Sequence, residues 1–357
     1  MDLPLALALV VVLAIALYVL ADGFDLGIGI LFLFAPREED RDMMMESIAP
    51  IWDGNETWLV FGGTLLIAAF PIGYSVLLPA FYVPIILMLF ALIFRGVAFE
   101  FRFQAHRSRR VWDYAFAGGS LIAAMCQGFV LGGFIQGIPM AHGIFAGHTF
   151  TFLTLLGFLC GLGLVGGYAL LGAGWLIWKT DGPTQVFGRE IGHSALILTA
   201  VMMAVVSAWT ALTEPAVDAR WFHWPQILPL SLFPLASAVV VVLIWRSLWG
   251  KYEPATFFWS ILLFLLGFGG LAESLWPYVI PRQVTIWQGA ADHASLIFVG
   301  VGMAVVLPIV LAYLGHAYWV FRGKTVSAYG HGHGGDDSSP SAGCRRSSSM
   351  RTDLHLS

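Results

Sequence analysis

Acidic and basic side chains interrupt or border long apolar stretches of this sequence, where charge is costly. They are Asp22, Asp25, Asp53, Glu56, Arg95, Glu100, Arg102 and Asp113. A charged residue at the centre of a membrane helix costs about 2.5–3.5 kcal/mol, so each one needs a partner or a function. Asp22 and Asp25 are three residues apart, which places both carboxyl groups on one helix face. The apolar run continues past Asp25, so we expect this carboxylate to lie inside the hydrophobic zone.

Two interpretations of these charges are open. Buried carboxylates can accept and release protons near neutral pH, so the acids could form a pathway that takes protons from the cytoplasm. Alternatively they are interfacial, with Asp53 or Asn55 capping one helix and Asp113 capping another. The second interpretation suits Asp113 and Glu56 well and suits Asp25 poorly.

Long uncharged stretches determine the class of the protein. Hydrophobic residues make up 58 % of the 357 residues and charged residues 11 %, with a mean hydropathy of +0.80, which excludes a soluble globular protein. One uncharged stretch, 57–94, is about twice the length of a single span and has Pro71, Gly73 and Pro79 near its middle, where a turn is expected, so it predicts two helices. We therefore predict an all-α integral membrane protein with about nine transmembrane helices. The uncharged stretches are 3–21, 57–94, 114–141, 149–178, 194–213, 224–245, 254–272 and 294–315.

Basic residues fall almost entirely on one side of the predicted membrane. With nine spans, 16 of the 18 Lys and Arg lie on one side, and only Arg220 and Arg282 lie opposite. The positive-inside rule then predicts a periplasmic N-terminus and a cytoplasmic C-terminus, with the first helix retained. We expect a polytopic membrane domain over 1–324 and a disordered cytoplasmic tail over 325–357, which is rich in Gly, Ser and His. This topology places the charged residues named above at the cytoplasmic face.

The histidines and cysteines do not suggest a metal or haem site in this chain alone. All ten histidines fall at span edges, in loops or in the tail, whereas haem held between helices needs axial ligands facing one another at a matching depth. The three cysteines show no disulfide framework. Gly157 and Gly161 fit the GxxxG pattern, which predicts a close helix contact.

Three motifs in this order identify a family resemblance. They are Asp22-Gly-Phe-Asp-Leu-Gly27, Ser47-Ile-Ala-Pro-Ile-Trp-Asp-Gly-Asn-Glu-Thr-Trp58 and Arg95-Gly-Val-Ala-Phe-Glu-Phe-Arg102. Together they resemble subunit II of the bacterial cytochrome bd ubiquinol oxidases, and the resemblance runs from residue 1 to about 324. The later segment Trp276-Pro-Tyr-Val-Ile-Pro281 looks closest to the cyanide-insensitive branch.

The resemblance implies a fold, a reaction and partners. It implies two four-helix bundles plus one peripheral helix, in a multi-pass protein of the bacterial inner membrane. The partner would be a haem-bearing subunit I, which carries haem b558, haem b595, haem d and the quinol site. A small single-helix subunit and membrane lipid are further expected partners, and nucleic acid is not. The complex would oxidise ubiquinol and reduce dioxygen to water electrogenically, drawing protons from the cytoplasm without pumping.

The resemblance also assigns roles to individual residues. Asp25 and Asp53 match the proton pathway, Trp58 matches a residue of the oxygen channel, and Arg95 and Asp113 match positions that support the haem site. Glu100 and Arg102 match the third motif without an assigned role, and no catalytic or metal-ligating residue is expected in this chain. From the residues alone, the alternative function is a secondary transporter or channel subunit with intramembrane carboxylates. The sequence lacks the matching Gly/Pro-broken segments in two halves that are typical of a transporter site.

Overall fold

The computed structural model of the protein describes residues 2–105 and 107–325. The predicted tail lies outside the described residues from residue 326 onward. The helices of the first half are α1 (Leu3–Phe32), α2 (Glu38–Ile48), α3 (Trp52–Ala69), α4 (Pro71–Gln104), α5 (Arg109–Gln136) and α6 (Leu155–Lys179). Those of the second half are α7 (Gly182–Thr213), α8 (Pro215–Trp221), α9 (Ile227–Leu230), α10 (Leu232–Leu248), α11 (Pro254–Leu275), α12 (Ile286–Gly289) and α13 (His293–Val320). Two short antiparallel hairpins pair β1 (Met140–Ala141) with β2 (Ile144–Phe145) and β3 (Tyr278–Ile280) with β4 (Val284–Thr285).

The long helices agree with the predicted count of about nine spans. Within the described residues, eight helices are long and apolar enough to cross a membrane, with α9 and α10 counted as one. The ninth is α3, whose 18 residues begin with a polar turn that contains Asp53, Asn55 and Glu56. That turn lowers its mean hydropathy, although the rest of the helix is apolar.

The predicted division of stretch 57–94 is confirmed. Helix α3 ends at Ala69 and α4 begins at Pro71, where the missing proline N–H costs no helical hydrogen bond. The stretch is interrupted a second time within α4, at Phe81, whose backbone is not helical. This break lies between Pro79 and Pro84, each of which removes a donor from the helix.

The spanning helices form two bundles, as the resemblance implied. Helices α1, α3, α4 and α5 pack together, α6, α7, α10 and α11 form the second group, and α13 lies against α1 and α3. The bundles meet where α6 packs on α1 and α5.

Glycine makes the junction of the two bundles close. A Cβ built on Gly128 of α5 would lie 2.1 Å from the Cα of Gly161 on α6, and one on Gly132 would lie 2.4 Å from the Cα of Gly157. Backbone therefore touches backbone over one turn of each helix, and any side chain would force the helices apart. The close contact predicted for Gly157 and Gly161 is confirmed, with Gly128 and Gly132 as its partner surface.

Candidate functional site

A fully buried arginine organises the end of the first bundle that is predicted to face the cytoplasm. Arg95 on α4 has no exposed surface, and its Nη2 lies 2.7 Å from Asp22 Oδ1 on α1 and 3.0 Å from Glu56 Oε2 on α3. Asp22 is also fully buried, whereas 28 % of the Glu56 side chain is exposed. Three helices of the bundle are thus joined by one guanidinium, since a charge removed from water needs an opposite charge at close range.

Asp25 lies one turn after Asp22 and has different partners. Its Oδ2 accepts a hydrogen bond of 2.8 Å from Asn55 Nδ2, and Asn55 Oδ1 accepts one of 2.9 Å from the Tyr318 hydroxyl of α13. Asp25 and Asn55 are both buried. The other carboxyl oxygen, Asp25 Oδ1, has no hydrogen-bond partner among the described residues. It is therefore available to a water molecule or a proton.

The carboxyl groups of this cluster outnumber its positive charges. Asp22, Asp25 and Glu56 surround Arg95, so three ionised carboxylates would share one guanidinium in a poorly solvated place. Such an excess is unfavourable in a medium of low dielectric, and a proton bound by any of the three relieves it. The cluster can thus take up and release protons.

A polar chain leads from this cluster into the second bundle. Gln127 Nε2 on α5 donates a hydrogen bond of 2.8 Å to the hydroxyl of Tyr18, one turn before Asp22 on α1. The hydroxyl of Tyr168 on α6 in turn donates to Gln127 Oε1. None of these residues was singled out in the sequence. Gln127 carried a detectable signal, because it is an amide near the middle of a largely apolar span.

Asp53 is separate from Asp25. Its side chain is exposed at the start of α3, three residues before Glu56 on the same helix. Asp25 is buried and bonded to Asn55 instead. The structure therefore places Asp53 at the surface, next to the Glu56 and Arg95 end of the cluster, and Asp25 inside.

The prediction that Asp53 or Asn55 caps α3 and that Asp113 caps α5 is wrong. The N-cap of α3 is Ile51, without a side-chain capping bond, and Asn55 bonds to Asp25. The N-cap of α5 is Ser108, also without a capping bond, and Asp113 binds an arginine instead.

A second buried arginine holds Asp113. Arg102 Nε donates to Asp113 Oδ1 at 2.6 Å and Nη1 donates to Asp42 Oδ1 at 2.6 Å, with the Phe32 ring 5.0 Å from the guanidinium. These contacts join α2, α4 and α5. Arg95 and Asp113, which the resemblance paired in one role, thus belong to two different ion-pair clusters, and Glu100 is exposed.

Asp40 also fixes the first turns of α2, through partners other than those of Asp42. This buried carboxylate receives two bonds from the Arg37 guanidinium, at 2.8 and 2.9 Å, and one of 2.8 Å from the Thr184 hydroxyl on α7. The hydrogen bonds from Arg37, with that from Thr184, hold the pKa of Asp40 below its ordinary value despite its burial.

Trp58 is buried and packs against Ala14 and Tyr18 of α1. Its ring is 5.5 Å from that of Phe61, and side chains of α13, including Val310, complete the surroundings. The indole therefore fills the contact between α1, α3 and α13, beside the polar cluster.

The histidines of the described residues offer a poor fit for haem. The ring of His193, on α7, packs on Trp245 and Trp249 at 5.0 and 4.9 Å between centroids, and its Nδ1 lies 2.8 Å from the carbonyl oxygen of Arg189. His293 begins α13 and His316 lies near its end. The described residues contain no group of three or more His, Cys, Asp or Glu that could hold a metal ion.

Comparison with known proteins gives one consistent family. Residues 3–321 match the family described as cytochrome bd terminal oxidase subunit II. The chain is 28 % identical over 344 residues to the cytochrome bd-I ubiquinol oxidase subunit 2 of Escherichia coli K12, covering 86 % of this chain and 91 % of that protein. It is 27 % identical over 320 residues to the cytochrome bd ubiquinol oxidase subunit 2 of Bacillus subtilis, covering 87 % and 93 %.

A solved structure shares the fold. The chain superimposes on a chain of the bd oxidase from Geobacillus thermodenitrificans with a TM-score of 0.74 and 17 % identity, covering 90 % of this chain and 99 % of that one. At this identity the similarity establishes the arrangement of helices.

Proposed function

The chain belongs to the cytochrome bd terminal oxidase subunit II family, and we propose that within this oxidase its buried carboxyl groups carry protons from the cytoplasm toward the site of oxygen reduction. The protein is a multi-pass inner-membrane subunit of a ubiquinol oxidase, an oxidoreductase of aerobic electron transport. Family membership therefore selects the oxidase subunit over the transporter or channel subunit.

The complex contains subunit I and haem cofactors, and its substrate is ubiquinol. We assign haem b558, haem b595, haem d and the quinol site to the partner subunit, because the described histidines of this chain fit axial ligation poorly. The haems supply electron transfer and oxygen binding when present. A small single-helix subunit is a further proposed partner.

The observation that carries the proposal is the excess of carboxyl groups over positive charge at this end of the first bundle, where two of the three carboxyl groups are buried. Asp22, Asp25 and Glu56 face one guanidinium, that of Arg95. Reduction of dioxygen to water consumes protons, so the oxidase needs groups that bind and release them near its membrane interior. A buried ionisable residue in a membrane protein is typical of such a relay.

Each acid has a distinct task in this proposal. Asp53 is exposed and collects protons at the cytoplasmic surface, and Glu56 passes them inward beside Arg95. Asp25 receives a proton at its unpartnered Oδ1 and releases it toward the partner. Arg95 stays charged throughout, because a guanidinium is not deprotonated in proteins, and so it limits the negative charge of the cluster.

Arg95 and Asp113 support the haem site of the partner indirectly in this account. Arg95 is fully buried inside its own chain, so it acts through its charge and through the position of α4. Asp113, held by Arg102, fixes the start of α5 against α4. Trp58 borders the polar cluster, and we propose that its bulk sets the width of a path for oxygen between α1 and α13.

The distribution of basic residues supports one membrane orientation of this chain. We propose that the N-terminus is periplasmic and the C-terminus cytoplasmic, because 16 of 18 basic residues then face the cytoplasm. This orientation places Asp53 and the inner ends of α1, α3 and α4 on the side from which protons are taken.

Conservative variants of the two aspartates test the proposal. Asp25→Asn and Asp53→Asn keep size and much of the hydrogen bonding but remove the titrating group. Oxygen consumption per haem should fall in both variants, while the haem spectrum of the purified complex is unchanged. Wild-type turnover at full haem content in both variants would contradict the relay. Loss of haem would instead make these aspartates structural supports.

A further inference from the structure

A cavity of about 290 Å³ opens at the inner face between α2, α6 and the end of α13. Its lining includes Glu46 and Ser47 of α2, Trp175 and Lys179 of α6, Tyr318 of α13 and the following Gly323. These six residues define what we call the vestibule.

The vestibule is built to hold water. Trp175 is buried, and its indole N–H has no hydrogen-bond partner among the described residues. Buried N–H groups are almost always bonded to protein or to ordered water, and a polar cavity of this size has room for several water molecules. Lys179 Nζ donates to the carbonyl oxygens of Phe321 and Gly323 at 2.6 and 3.0 Å, which leaves its third N–H for water.

The wall of the vestibule is held in place by the same lysine. Its two bonds hold Phe321 and Gly323 over the end of α6, and the backbone N–H of Thr325 donates to the Lys179 carbonyl oxygen at 2.8 Å. The segment after α13 therefore forms a fixed rim.

Tyr318 connects this cavity to Asp25. The residue lines the vestibule, and its hydroxyl donates to Asn55, which donates to Asp25. Only two side chains thus separate vestibule water from the buried carboxylate. The side-chain amide of Asn55 does not ionise at physiological pH, so Asn55 positions Asp25 and does not conduct protons. Proton exchange therefore needs water that passes these two side chains to the unpartnered Asp25 Oδ1.

We infer that the vestibule is a second cytoplasmic entrance to Asp25, through which water reaches this carboxylate in addition to the route that begins at the surface acid Asp53. A hydronium ion from the vestibule transfers its proton to the Asp25 carboxylate. The products are a water molecule and the neutral carboxylic acid of Asp25. The acid later releases that proton to the next acceptor in the oxidase and returns to the carboxylate. The inference rests on the proposed relay role of Asp25. The other charged groups near Asp25 are Asp22, Glu56 and Arg95.

Reversible thiol labelling at the vestibule tests the inference in the assembled oxidase. A Cβ at Gly323 would meet nothing within 4 Å, so Gly323→Cys places a thiol at the vestibule without strain. Cys126 and Cys160 are buried, and Cys344→Ser removes the remaining cysteine of the chain, in its tail. A benzyl methanethiosulfonate reagent then fills the vestibule, and a reductant removes it. Lys251→Cys, at an exposed inner-face position outside the vestibule, and the Cys344→Ser parent are the controls.

Labelling of Gly323→Cys should lower oxygen consumption per haem below that of the unlabelled variant, because the water route to Asp25 is then blocked, and reductant should restore it. Label on Lys251→Cys or the parent should change nothing. A second readout does not depend on turnover. The infrared carboxylic acid band of Asp25, identified by its loss in Asp25→Asn, should shift more slowly on transfer to D2O when the vestibule is filled.

The outcomes separate this inference from the proposed relay. Suppose that labelled Gly323→Cys keeps its turnover and its rate of deuterium exchange, while Asp25→Asn is slow. That result would refute the vestibule as an entrance and would leave the relay role of Asp25 in place. Wild-type turnover of Asp25→Asn itself would overturn the relay. If the vestibule entrance and the Asp25 relay are both correct, labelling Gly323→Cys in the Asp25→Asn background lowers oxygen consumption no further.

Discussion

Replacing one glycine at the junction of the two bundles should destabilise the protein measurably. In Gly128→Ala the new Cβ would lie 2.1 Å from the Cα and 2.2 Å from the N of Gly161. Both atoms belong to backbone, which cannot rotate out of the way as a flexible side chain can. Ordinary contact begins near 3.4 Å, so α5 and α6 must separate by roughly 1 Å, which costs about 1–3 kcal/mol as overpacking does.

A glycine on the same helix provides the control. Nothing lies within 4 Å of a Cβ built on Gly118 of α5. Alanine is a better helix former than glycine by about 1 kcal/mol, so Gly118→Ala should be neutral or stabilising. Because Gly128→Ala receives the same benefit, the difference between the two variants isolates the steric cost at the junction.

The assay is thermal unfolding of the purified oxidase complex, followed by the loss of its monodisperse peak on size-exclusion chromatography. Gly128→Ala should unfold at a lower temperature than both the wild type and Gly118→Ala. Equal midpoints for the two alanine variants would refute the close backbone contact between α5 and α6.

Three further predictions concern single side chains. Asp113→Asn removes one of the two carboxylates bound to the buried Arg102 guanidinium, while Asp42 remains. It should lower the stability of the complex by about 1.5–3 kcal/mol, as loss of a charged hydrogen bond does, and a midpoint of thermal unfolding equal to that of the wild type would contradict the pairing. The depressed pKa of Asp40 means that its ionised form stabilises the fold above its unfolded pKa of about 3.9, and that this stability is lost as pH falls through the lower folded value. The deficit of Asp40→Asn in thermal stability should therefore be largest near neutral pH and shrink below about pH 4, and a pH-independent deficit would refute it. His193→Phe should leave the haem content of the complex unchanged by pyridine haemochrome assay, since the ring packs between indoles, and loss of one haem would make His193 a ligand.

Much of the helix layout was predictable from composition. The double-length stretch divides at Pro71, one of the three turn-prone residues near its middle, because a proline at the first position of a helix costs no helical hydrogen bond and signals a helix start. The GxxxG pair Gly157 and Gly161 likewise signals a close contact, since only glycine permits backbone to touch backbone. Both features depend on local chemistry.

The pairing of the charges was not predictable in the same way. Asp113 was expected to cap α5 or to act with Arg95, and it binds Arg102. Helical spacing determines which face a side chain occupies, whereas the identity of its partner depends on which helix packs there. Asn55 bonds across to α1 and α13 for the same reason. The role of Gln127 as a link between α1 and α6 required the three-dimensional contact.

Proton uptake by the oxidase during a single reaction with oxygen tests the central claim most directly. Fully reduced complex is mixed with oxygen in weakly buffered solution with a pH-sensitive dye, and proton uptake is timed for wild type, Asp25→Asn and the exposed surface control Asp181→Asn. The account predicts that Asp25→Asn slows uptake while electron transfer before the proton-coupled step keeps its rate, and that Asp181→Asn behaves as wild type. Proton uptake at the wild-type rate in Asp25→Asn, with full haem content, would contradict a relay through this subunit.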